Sequence, residues 1–163
     1  FKDVIHDLFE SVELAASMLL VTGVLLFLSD RVKNPVRTEA GMTLLDSVVI
    51  GVVQGIAVLP GISRSGSTIT FGLFRGLDGE TAARFSFLLS IPAIAGAAIL
   101  EARHAEAIPR DQIAVYAAGA LVAALVAYLT LKFLFFVVRK RNLRFFAYYC
   151  WIVGATVLAL NLP

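Results

Sequence analysis

Residues 60 to 68 read Pro-Gly-Ile-Ser-Arg-Ser-Gly-Ser-Thr, which puts one guanidinium, four hydroxyls and two glycines into nine positions with no carboxylate among them. A planar guanidinium can fork two oxygens of a phosphate while loop amides and hydroxyls take the others, so Arg64 with Ser63, Ser65, Ser67 and Thr68 reads as an oxyanion site. The competing reading is a structural arginine tied to helix-terminal carbonyls. The density of serine and glycine around it favours the anion, and because the fork rather than the charge does the recognition, lysine is not an equivalent replacement. Gln54 is the only polar side chain between Ser47 and Ser63, and it is either an interhelical hydrogen bonder or part of the same site. His6 and His104 stand alone in an amphipathic edge and a polar loop, where a histidine is ordinarily just solvated.

The setting of this cluster is apolar. Hydrophobic residues make up 59% of the 163 positions and charged residues 16%, with a net charge of +2, and the mean hydropathy is +0.86. Those values exclude an ordinary soluble domain and imply an all-α, multi-pass integral membrane protein. Uncharged runs cover Leu14–Ser29, Ser47–Ser63, Phe85–Leu100, Gln112–Leu131 and Phe145–Pro163, against the roughly 20 residues that a spanning helix needs. Four of the five runs look spanning, and Ser47–Ser63, whose helix is stopped by Pro60-Gly61, does not.

The expected organisation is therefore an interfacial amphipathic helix over 1–13, spans over 14–29, 79–101, 112–138 and 145–162, and a re-entrant helix-loop-helix over 44–75 that carries the loop 60–68 at its tip. Non-helical backbone at membrane depth is tolerated only where it is buried in protein or lines a cavity. A broken helix whose N-terminus faces an anion is a known way to use such a loop, and Ser67 or Thr68 is the expected cap of the second half-helix. Asp78 is the expected N-cap of the next span, which Pro92 should kink. Gly51-xxx-Gly55 and Gly72-xxx-Gly76 have the spacing of close helix packing. Lys132, Arg139, Lys140, Arg141 and Arg144 form a basic cluster beside a span, so it reports a cytoplasmic loop rather than a nucleic-acid surface. The lone Cys150 excludes an internal disulfide and offers no metal-ligand spacing. The first residue is Phe1 rather than Met, no basic n-region or small-residue cleavage site precedes the first span, and the chain reads as a piece of something longer.

Soluble hydrolase signatures are missing: there is no Walker A glycine-lysine pair, no cysteine-plus-arginine loop, and Gly61-Ile-Ser63-Arg64-Ser65 does not match the Gly-x-Ser-x-Gly elbow. The longer block Gly51-Val-Val-Gln-Gly-Ile-Ala-Val-Leu-Pro-Gly-Ile-Ser-Arg-Ser-Gly-Ser-Thr-Ile, followed by Ala82-Ala-Arg-Phe-Ser-Phe-Leu-Leu-Ser-Ile-Pro92, closely resembles the second signature region of the undecaprenyl-pyrophosphate phosphatase, or bacitracin-resistance, family. The resemblance implies a fold of two interlocked inverted repeats, of which this chain carries the second. It also implies hydrolysis of undecaprenyl pyrophosphate to undecaprenyl phosphate and inorganic phosphate in the bacterial inner membrane, which recycles the lipid carrier for cell-wall synthesis. Ser63, Arg64 and Thr68 take the family's catalytic positions, and Gly61, Ser65, Gly66, Ser67 and Gln54 the phosphate-binding ones.

A divalent cation, Mg or Ca, is implied by the same resemblance, but its acidic ligands belong to a Glu-x-x-x-Glu helix of the first repeat. Gln54 and Val58 stand at the equivalent place here. Half a site follows, to be completed by the missing N-terminal repeat, a partner chain or a second copy in a homodimer, and the chain alone is expected to be inactive. A lipid-phosphate transporter or flippase half, or a non-catalytic membrane subunit, is the alternative reading of the same loop.

Overall fold

The fold is a computed structural model that describes residues 11–33, 35–103, 112–140 and 142–161. The first ten residues of the expected interfacial helix, both histidines and Arg141 lie outside them. Ser11 opens the first helix: its hydroxyl accepts the Leu14 N–H at 3.1 Å, and α1 then runs Val12–Ser29. At its far end the Asp30 carboxylate accepts the N–H groups of Leu143 at 3.2 Å and Arg144 at 3.1 Å. That capping starts the last helix, α6 (Arg144–Asn161), beside the end of α1. The two therefore run antiparallel, and glycines bring them close. A Cβ at Gly23 would meet the Trp151 ring at 2.4 Å and one at Gly154 would meet Leu20 at 2.9 Å, while the Trp151 indole N–H donates to the Leu20 carbonyl at 3.2 Å.

Between these helices the chain makes two half-helices, α2 (Leu44–Ile56) and α3 (Arg64–Phe74). Thr43 and Asp46 form a reciprocal capping box at the start of α2, which satisfies two of its orphan donors. With 13 and 11 residues, the pair reach about 20 and 16 Å at a rise of ~1.5 Å per residue, short of a ~30 Å hydrocarbon core. Their polar ends are tied by one carboxylate. Asp46 is fully buried and accepts from Arg75 Nε at 2.7 Å and Arg37 Nη2 at 2.6 Å. The linker is drawn in with it, because Arg37 donates to the Gly76 carbonyl and accepts from the Asp78 N–H. Burial pushes the Asp46 carboxyl up, but the Thr43 N–H and the two guanidinium groups outweigh it and hold the group well below the usual carboxylate range.

Asp78 caps α4 (Gly79–Ala102), its carboxylate accepting the Thr81 N–H at 2.9 Å, and the helix continues through Pro92. α5 (Ile113–Arg139) returns antiparallel: Gly79 at the start of α4 lies against Val138 at the end of α5, and Gly72 of α3 lies against Ala82. The buried core, with Leu26, Ile50, Ile69, Leu73, Leu77 and Ala147, sits around α3. Beyond it α4 from Ile91 onward and nearly all of α5 are exposed apolar surface.

α1, α4 and α5 are long and apolar enough to cross a membrane. The fourth expected span, α6, falls short of them in hydropathy because it opens on Arg144, carries Tyr148, Tyr149 and Trp151, and ends on Asn161. Two further expectations are corrected. The cap of the second half-helix is Ser63, whose hydroxyl accepts the Gly66 N–H at 3.1 Å, rather than Ser67 or Thr68. Gly72 packs as the spacing suggested, but Gly76 is a turn residue with φ of 83°, and Gly51 and Gly55 face open space.

Gly61, with φ of 84° and an added Cβ 1.9 Å from the Ala15 carbonyl oxygen, leaves no room for a side chain. Gly61→Ala should lower stability by more than about 2 kcal/mol, whereas Gly51→Ala should leave the melting midpoint equal or higher; thermal melts in detergent read both. Because its folded pKa is depressed, the stabilisation from Asp46 is complete above the ordinary carboxylate pKa of about 4 and is lost as pH falls through the lower folded value. Asp46→Asn should thus lower the midpoint at neutral pH, by a margin that shrinks in strong acid.

Candidate anion site at the tip of the broken helix

The turn joining the half-helices is held by a residue of α1. Thr22, fully buried, donates its hydroxyl to the Gly61 carbonyl at 3.1 Å and accepts the Ser63 N–H at 3.1 Å. Thr22 stands ten residues past the first residue of α1, about 15 Å along the axis at ~1.5 Å per residue. The turn is therefore pinned near the middle of α1, a helix long and apolar enough to cross a membrane.

Most of the hydroxyl-rich loop belongs to the first turns of α3. Ser63 caps Gly66, and the Ser67 N–H reaches the Ser63 carbonyl at 2.9 Å. The N–H groups of Arg64 and Ser65 have no acceptor among the described residues, as expected for the first positions of a helix, where the orphan donors carry the positive end of its dipole. The Arg64 guanidinium has no ion pair or hydrogen bond to a described residue either. Its side chain, with Ser65, lines a cavity of about 410 Å³ whose floor is the turn from Ala57 to Ile62 and whose far wall is Ser86, Phe87, Ser90 and Ile94 of α4. Arg64 and Ser65 bring two open amides, a guanidinium and a serine hydroxyl to the lining, a donor set suited to a tetrahedral oxyanion.

Arg64 is exposed, which corrects the expectation, drawn from its place between two apolar runs, of a guanidinium buried among its hydroxyls.

The expected site residues divide into three groups. Arg64, Ser65 and Gly61 line the cavity. Ser63 and Gly66 line instead an apolar trough of about 490 Å³ on the other side of α3, among Leu19, Leu26, Ile69, Leu134, Phe146 and Cys150, and Ser65 borders both. Thr68, Ser67 and Gln54 line neither. Thr68 is fully buried and donates to the Arg64 carbonyl at 2.8 Å, the Ser67 hydroxyl is buried without a partner among the described residues, and the Gln54 amide donates to the Leu89 carbonyl of α4 at 3.2 Å. Gln54 is thus the interhelical hydrogen bonder of its two readings. Thr22, Ser86 and Ser90 are additions from the structure. The i, i+4 spacing of the two serines on a predicted helix was the visible signal; Thr22 gave none, since a threonine in an apolar run ordinarily bonds its own helix.

The donor set does not fit a divalent cation. Mg and Ca take oxygen ligands, usually carboxylates, and the cavity offers a guanidinium and serines; no group of three or more His, Cys, Asp or Glu among the described residues could hold a metal ion.

The profile of a family described as Bacitracin resistance protein BacA matches residues 1–156. The chain is 47% identical to the undecaprenyl-diphosphatase of Desulfatibacillum aliphaticivorans over 99% of its own length and 58% of that protein's. It is 44% identical to the undecaprenyl-diphosphatase of Halothermothrix orenii over 98% of its length and 62% of the relative's. A protein of the same name from Methanothermobacter thermautotrophicus is 44% identical over 99% of this chain and is itself covered over 91%.

If the two amides and the guanidinium act on one ligand, Thr22→Val should unpin the turn and weaken inorganic pyrophosphate binding about tenfold. Calorimetric titration of the detergent-solubilised chain checks it, and binding equal to wild type would contradict it.

Proposed function

The chain belongs to the Bacitracin resistance protein BacA family, and we propose that it supplies the phosphate-gripping part of an undecaprenyl-diphosphatase site. The reaction is hydrolysis of undecaprenyl pyrophosphate to undecaprenyl phosphate and inorganic phosphate in a bacterial inner membrane, returning the lipid carrier to cell-wall synthesis. The observation that carries this reading is the adjacency of two unlike cavities at the α3 tip. The donor-lined one fits a diphosphate, the apolar one fits the first isoprene units of a tail, and Ser65 borders both.

In this reading Arg64 forks oxygens of the terminal phosphate while the Arg64 and Ser65 amides take another, which leaves the bridging oxygen toward the apolar trough. These groups are preorganised, so they stabilise the charge that spreads over the phosphoryl oxygens as the anhydride bond breaks without reorienting at that moment. Attack by water also needs a proton acceptor, and the cavity residues include no carboxylate or histidine. We assign that role, and the cation that the family implies, to an acidic segment outside these residues. The chain spans 58 to 62% of the longer relatives, and the completing segment is an N-terminal repeat, a partner chain or a second copy seated on the exposed apolar face of α4 and α5.

The test is phosphate release from undecaprenyl pyrophosphate in detergent. The 163 residues alone should release none, and supplying a Glu-x-x-x-Glu repeat should restore turnover. In the restored enzyme Arg64→Ala should lower kcat by about 10² to 10³, with Arg64→Lys nearly as damaging because a point charge cannot fork two oxygens. Saturable lipid binding without hydrolysis in the completed protein would instead support a lipid-phosphate transporter.

A further inference from the structure

We propose that Ser86 is a further binding residue of the anion site and Thr68 a positioning residue behind it, the two forming a two-hydroxyl relay that connects the contents of the cavity to the Arg64 main chain. The inference rests on the anion-binding reading above and concerns the wall of the cavity opposite Arg64.

It follows from counting protons. Thr68 Oγ1 has three neighbours: the Arg64 carbonyl at 2.8 Å, the Ser65 carbonyl at 3.3 Å and Ser86 Oγ at 2.5 Å. Carbonyls only accept and threonine has one proton, so a Thr68 proton directed at its own helix requires Ser86 to donate to Thr68. Ser90, one turn along α4 and on the same wall, differs. Its hydroxyl donates to the Phe87 carbonyl at 2.7 Å, a bond within its own helix that leaves only lone pairs for the cavity. Ser86 makes no such bond among the described residues, and its proton is held by another hydroxyl, which can also donate.

The pair therefore has two arrangements. With no acceptor in the cavity, Ser86 donates to Thr68 and Thr68 to the Arg64 carbonyl. With a phosphate oxygen in reach, Ser86 turns its proton to the anion, and Thr68 turns its own from the carbonyl to Ser86. No covalent bond changes; two hydrogen bonds are exchanged for two. Both residues are nearly sealed, at 0% and 3% exposure, where a hydrogen bond to an anion is stronger than in water and adjoining bonds reinforce one another. The side-chain bond from Thr68 to the Arg64 carbonyl is then given up as the site fills, while the helical main-chain bonds of α3 stay in place. Thr68 acts on the ligand only through Ser86.

The test is a double-mutant cycle on the detergent-solubilised chain, with farnesyl pyrophosphate as the titrant and melting midpoints measured alongside. Ser86→Ala should weaken binding about tenfold and Thr68→Val about threefold. The double variant should be no weaker than Ser86→Ala alone, and Thr68→Ser should restore binding to within about twofold of wild type. Independent effects that multiply to about thirtyfold, or a Thr68→Ser variant as weak as Thr68→Val, would overturn the relay. If Ser86→Ala does not fold, the contrast between Thr68→Val and Thr68→Ser decides the question. Arg64→Ala, run in the same series, separates the two claims: unweakened binding there overturns the anion site itself, whereas weakened binding with an unaffected Ser86→Ala overturns the relay only.

Discussion

A helix broken within an apolar stretch leaves unpaired backbone groups that its apolar neighbours cannot satisfy, and the arrangement around residues 57 to 65 answers that constraint. Thr22 takes one carbonyl and one amide of the turn. The Ser63 hydroxyl takes another amide, and Gly61 allows the turn to lie against the α1 backbone where any side chain would collide. The amides of Arg64 and Ser65 remain, beside a guanidinium that nothing in the described residues neutralises. Two open amides and an unneutralised guanidinium on adjacent residues are the reason for reading this tip as an anion site rather than as an incidental helix end.

The rest of the fold holds that tip in place. Asp46 locks the wide end of the half-helix pair to the linker through two arginines, so the pair cannot splay. Asp30 ties the end of α1 to the start of α6 and glycines let the two helices touch, which makes the post carrying Thr22 a rigid one. Contact between Gly72 and Ala82 sets α4 against α3, bringing Ser86 and Ser90 to the cavity. What this body does not cover is equally informative: α5 has one buried residue, Val138, and its remaining apolar length needs lipid or another protein segment against it.

Much of this was legible in the residues. The expected helical segments over 14–29, 79–101, 112–138 and 145–162 fall within a few positions of α1, α4, α5 and α6, and Asp78 announced the start of α4. Three things were not legible, each for a physical reason. Serine and glycine in series read as loop because both favour turns, yet a good cap at Ser63 let the helix absorb residues 64 to 68. Gly51 and Gly55 have packing spacing, but spacing says nothing about whether a partner exists on that side. Thr22, Asp46 and Arg37 act across sequence separations of 9 to 41 residues, and no local pattern encodes which distant group a buried threonine or aspartate will meet.

The central claim, that the open amides and guanidinium at the α3 tip grip a diphosphate, is tested most directly by amide NMR of the ¹⁵N-labelled chain in detergent micelles as farnesyl pyrophosphate is added. The account predicts that the largest shifts fall on the Arg64 and Ser65 backbone N–H resonances and on the Arg64 Nε–H, saturating together. Shifts confined to the basic segment from Lys132 to Arg144, with the Arg64 and Ser65 amides unmoved, would contradict it.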